Sequence, residues 1–106
     1  MKPTVQEVSK FEIELGSSEI LDRLEKGLTH KGWYRLLHDG PKLLLRYKVK
    51  SAFGPCETIH IQVSEISPYQ SLVEIRSKPH FLNNIFKRRN GGRNIDKVKA
   101  VFNIII

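Results

Sequence analysis

Residues 42–50, KLLLRYKVK, set Leu43, Leu45, Tyr47 and Val49 at alternate positions, with Lys42, Leu44, Arg46, Lys48 and Lys50 between them. A period of two sends successive side chains to opposite faces of a strand, so one face of this segment needs a core while the other carries cations into water. A strand with one apolar face requires further strands of the same kind and a second layer to cover them. Residues 11–15, FEIEL, alternate Phe11, Ile13 and Leu15 with Glu12 and Glu14. Residues 33–38, WYRLLH, run into Asp39-Gly40, a dipeptide suited to a tight hairpin turn, which Pro41 can lengthen. After the turn Gly54-Pro55, Ile59, Ile61 and Val63 alternate with Thr58, His60, Gln62 and Ser64. Ser67-Pro68 then breaks the run before SLVEIRS, with Val73 and Ile75 inward.

Two segments change the period to that of a helix. After Gly16, Ser17 or Ser18 can cap a helix with Glu19 and Asp22 in its first turn and Ile20, Leu21, Leu24 and Leu28 along one face; Gly32 is a natural stop. A second helix starts near Asn94, an N-cap residue, with Ile95, Val98, Val101, Phe102 and Ile105 at helical spacing. The fold expected is α+β: a curved antiparallel sheet of about five strands with two helices on one face, in the order β-α-β-β-β-β-α. At 106 residues the chain forms one domain, 1–106, with residues 1–9 expected as a flexible N-terminal arm.

The order is similar to half of a TATA-box-binding-protein-like (TBP-like) fold and to a reduced helix-grip fold. VEIRSKP followed by GGRNIDKVKAVF also resembles the ending of small bacterial domains of unknown function, here with a longer, more basic loop and no acidic residue before the glycine. The resemblance implies a fold and no known activity.

Catalysis needs a cluster, and the sequence shows none. His30, His38, His60 and His80 fall in separate elements, with no metal-ligand spacing and no cofactor motif. Cys56 and His60 share a strand face but stand roughly 13 Å apart along it, beyond hydrogen-bond reach. The single cysteine excludes an internal disulfide. With no apolar signal-peptide core at the N-terminus and no long apolar span, the expectation is a cytoplasmic protein.

The net charge of +7 is uneven. Residues 1–40 hold six Lys/Arg against seven Asp/Glu, residues 41–80 six against three, and residues 81–106 six against one. A growing basic excess favours nucleic acid or an anionic lipid surface as partner. The candidate anion-binding residues are Lys87, Arg88, Arg89 and Arg93 with Gly91 and Gly92 in the loop before the last helix, joined by Arg46 and Lys48 on the basic strand. The strand cations have a structural explanation too, as protection of a sheet edge. The outer face, read as Lys42, Arg46, Lys48, Lys50, Thr58, His60, Gln62, Ser64, Glu74 and Arg76, is expected to lack an aromatic on which bases could stack. The function expected is therefore a non-enzymatic binding or adaptor domain for an anionic partner. The alternatives are a small hydrophobic-ligand or lipid-binding module of helix-grip type, or docking of a protein partner through the C-terminal helix, whose FNIII end cannot turn every isoleucine to one core.

Overall fold

The computed structural model describes residues 7–50, 57–79 and 94–102. Strand β1 (Glu7–Ile13) leads to helix α1 (Ser17–His30); then follow β2 (Tyr34–Asp39), β3 (Leu44–Val49), β4 (Glu57–Ser67), β5 (Gln70–Pro79) and helix α2 (94–100). All neighbouring strands are antiparallel, in the order β1-β5-β4-β3-β2. The last four strands form a meander, β1 closes its far side against β5, and α1 carries the chain from one edge of the sheet to the other. This is the expected α+β class and element order.

The first strand starts earlier than its alternation suggests. Residues 7–9, expected in an N-terminal arm, pair with residues 75–77 of β5; residues 1–6 lie outside the described residues. Leu43 also departs from the expected strand. Its φ of 55° is left-handed, a conformation that costs an L-residue roughly 1–2 kcal/mol. The turn spans Gly40 to Leu43, closed by Leu43 N–H to the Gly40 carbonyl and by Lys42 N–H to Asp39 Oδ1. Gln62 braces it by donating through Nε2 to the Lys42 and Leu43 carbonyls.

Helix α1 ends as Gly32 predicts. Gly32, at φ 88°, donates to the Thr29 carbonyl and Trp33 N–H to the Leu28 carbonyl, a Schellman pair that satisfies two terminal carbonyls. Its start is different from the expectation. The N-cap is Gly16, without a side-chain cap, and Ser17 is buried. Ser71 Oγ donates its one proton to the Leu15 carbonyl, so Ser17 Oγ must be the donor to Ser71 Oγ, at 2.9 Å. The helix is thereby tied to β5 rather than to itself. A Cβ at Gly16 would lie 3.0 Å from the Pro68 carbonyl, so this position has no room for a larger cap.

The core lies between the sheet and the helices. Ile20, Leu21, Leu24 and Leu28 of α1, together with Ile95 and Val98 of α2, cover Leu45, Tyr47, Val49, Ile59, Ile61, Val63, Val73 and Ile75. Both helices therefore sit on one face. Helix α2 reaches across β1, with Lys99 Nζ 5.8 Å from the centre of the Phe11 ring, and Val101 closes against Gly27 of α1. Trp33 packs edge-on to Tyr47, with ring centres 6.2 Å apart.

Candidate functional site

With both helices on the inner face, no element among the described residues covers the outer face of the sheet. Antiparallel partners share a face, so the register shows which groups meet there. One row runs Arg46, His60, Arg76 across β3, β4 and β5; the next runs Lys48, Thr58, Lys78, with Tyr34 of β2 beyond Lys48. A third sets Gln62 and Glu74 beside Lys10. Directly opposed positions have Cβ atoms about 4.5–5.5 Å apart, so His60 has a guanidinium-bearing chain on either side.

The charges on this face are only partly offset. Glu74 is held by Arg76, with Nη2 at 2.6 Å from Oε2. Among the described residues no carboxylate lies within ion-pair distance of Arg46, Lys48 or Lys78. Arg46 Nε is shut off from solvent with no acceptor among those residues. Partial burial lowers the pKa of His60 below its usual value, and the positive charges of Arg46, Lys78 and Arg76 lower it further. Both effects favour the neutral form of the imidazole.

Two readings of this face change. The cations of β3 and β5 do not protect edges, because β3, β4 and β5 are interior strands and the edges are β1 and β2. The face also has an aromatic. Tyr34, 67% exposed, stands beside Lys48. Its side is set by the register change between Arg35 and Leu37, which interrupts any alternation in β2. Of the residues expected to bind anions, Arg46 and Lys48 fall on this surface; Lys87, Arg88, Arg89, Gly91, Gly92 and Arg93 lie outside the described residues, as do His80 and Cys56. The chain on either side of that loop is described. Pro79 is the register partner of Glu57, and Asn94 Nδ2 donates to Glu57 Oε1 at 2.8 Å, so both ends meet at Glu57, whose buried side chain lies on the face opposite the Lys48–Lys78 row.

Three further clusters were not evident from the sequence. Glu57, 1% exposed, also accepts from Ser77 Oγ, and with Asn94 it pins the start of α2 to the sheet. The Asn94 amide is thus engaged with the sheet, where a helix cap was expected to be its role. On the inner edge, Glu25 of α1 bonds Arg35 and lies 2.6 Å from His38 Nδ1, joining α1 to β2. Between the helices, a surface groove of about 420 Å³ is lined by Arg23, Lys26, Gly27, His30, Ala100 and Val101. Arg23 and Lys26 there are already paired with Glu19 and Asp22. No group of three or more metal-ligating side chains occurs among the described residues, and none of their helices is long and apolar enough to cross a membrane.

No family model matches the chain, and no curated protein does. Its fold is shared with solved bacterial proteins. An uncharacterized protein from Bacillus thuringiensis superposes with a TM-score of 0.63 at 16% identity, over 92% of this chain and 96% of that one. CalU16 from Micromonospora echinospora gives 0.68 at 9% identity, over 91% and 71%. XoxI from Bacillus cereus gives 0.62 at 16%, over 91% and 92%. At these identities the likeness extends to the fold alone, and the chain is similar in fold to small bacterial domains of unknown function.

Proposed function

We propose that the chain is a non-enzymatic binding domain that holds single-stranded nucleic acid on the outer face of its sheet. The observation that carries this reading is the gathering of Arg46, Lys48, Arg76 and Lys78 around His60 on interior strands, where edge protection cannot account for them. Like charges set side by side cost stability, and a phosphate backbone offsets that cost. Tyr34 adds a ring on which one base can stack, and Ser64 adds a hydroxyl on the same face. An open sheet face suits an unpaired strand, whereas reading a duplex requires an element that enters its groove. The layer between sheet and helices is filled by fully buried Ile20, Leu24, Leu28, Leu45, Ile59 and Ile61, which favours this surface over a hydrophobic-ligand cavity.

Fluorescence anisotropy with a labelled single-stranded oligonucleotide tests the proposal. Affinity should fall steeply with salt. Replacing Arg46, Lys48 and Lys78 with Ala should weaken binding at least tenfold and reduce the slope of log K against log salt by about 2, at roughly 0.7 per phosphate contact. Tyr34→Ala should lower affinity without changing that slope. An unchanged affinity in the triple variant would sink the reading. Replacing Arg88, Arg89 and Arg93 with Ala measures the loop's own share. Equal binding of the triple variant and the wild type to phosphatidylserine vesicles, with no oligonucleotide binding, would point instead to the loop and a lipid surface.

A further inference from the structure

We propose that the Arg46–His60–Arg76 row is a proton-coupled phosphate subsite, in which His60 takes one proton from solvent as a phosphate group seats on it and returns that proton on release. The inference rests on the nucleic-acid reading of this face and specifies how the face holds its ligand.

His60 lies on β4, the central strand, with Arg46 directly across on β3 and Arg76 directly across on β5. Lys48 and Lys78 occupy the adjoining row on the same two strands. Among the described residues, the acid of this neighbourhood is Glu74 on β5, bound to Arg76 through both Nε and Nη2 and set opposite Lys10 of β1. On β4 itself the outward neighbour Gln62 has its amide nitrogen committed to backbone carbonyls at the turn. A proton on His60 in the empty site would therefore add a further cation to four, with one carboxylate in partial compensation.

A phosphate reverses that balance. It brings negative charge and several acceptor oxygens between two guanidinium-bearing chains, where an imidazolium donates from both ring nitrogens and the neutral ring from only one. The neighbouring cations and partial burial that lower the pKa of His60 in the empty site are outweighed by a bound anion at hydrogen-bond distance, which favours the imidazolium. Free and bound states then differ in proton content. Binding must strengthen as pH falls from the bound pKa towards the free one, and level off below it. A phosphodiester does not itself titrate in this range, so an oligonucleotide isolates the histidine.

Calorimetry of the full chain with a short single-stranded oligonucleotide at pH 7, in two buffers of different ionisation enthalpy, counts the protons taken up. The expected result is net uptake of up to one proton, with affinity rising up to tenfold per pH unit between the two pKa values. His60→Gln should abolish both the proton uptake and the rise of affinity with falling pH. NMR titration of the His60 side chain in the wild type gives an independent readout, since its resonance should titrate below about 6.5 when free and higher when bound. Oligonucleotide binding with no proton uptake and no shift of the His60 titration overturns this inference and leaves the sheet-face reading standing. Absence of binding at every pH overturns both.

Discussion

Tyr47 is fully buried, yet its hydroxyl has no partner at hydrogen-bonding geometry among the described residues. Burial raises its pKa and the negative charge of Glu25 raises it further; the nearby Thr29 hydroxyl and the Arg35 charge oppose the shift without cancelling it. The folded state thus favours the neutral phenol, and its contribution is fully present below pH 10 and lost as pH rises through the folded value. Tyr47→Phe should leave stability unchanged or raise it by about 1 kcal/mol at pH 7, and should flatten the alkaline loss, as measured by urea unfolding at pH 7 to 11. His60 has the opposite dependence. Its folded pKa is depressed, so the unfolded chain binds the proton better and stability falls as pH drops below about 6.5 towards the folded value. Urea unfolding between pH 7.5 and 5.5 should show a smaller fall for His60→Gln than for the wild type. The inward side of Tyr47 was legible in KLLLRYKVK because that run alternates. The outward side of Tyr34 was not, because WYRLLH has no alternation and its register shifts within the strand.

At the scale of elements, the two helices meet where α1 has a glycine. A Cβ at Gly27 would lie 3.0 Å from Val101 Cγ2, closer than unstrained contact allows. Gly27→Leu should destabilise the fold by about 1–3 kcal/mol through overpacking, and Val101→Ala in the same chain should recover part of that loss; a double-mutant cycle by thermal unfolding measures the coupling. The tie between α2 and the sheet is polar. Removing the Glu57 carboxylate strands the Asn94 amide and the Ser77 hydroxyl in a buried place, at about 1–3 kcal/mol for each unsatisfied group, so Glu57→Ala should release α2 first. Hydrogen exchange should show the amides of residues 95–100 losing protection while those of β4 keep it. Helix stops and strand interiors could be read locally, as Gly32 shows. The start of α1 could not, because Ser17 serves a residue 54 positions away.

At the scale of the whole molecule, a basic excess of +7 becomes a surface only through strand order. If single-stranded nucleic acid occupies the outer face, a hundredfold excess of oligonucleotide over its Kd should stabilise the native state by about 2.7 kcal/mol, visible as a raised Tm that the Arg46, Lys48 and Lys78 replacement removes. The sequence by itself determined which side chains face inward on β3, β4 and β5, the two amphipathic helices and their order, because a period of two or of 3.6 is a local property of the chain. Only the tertiary structure decided that β1 pairs with β5 and leaves β3, β4 and β5 inside the sheet, that Glu57 joins Ser77 to Asn94, and that Arg46, His60 and Arg76 stand in one row. Those are relations between residues distant in the chain, fixed by register and by burial of a shared core, and no local pattern encodes them.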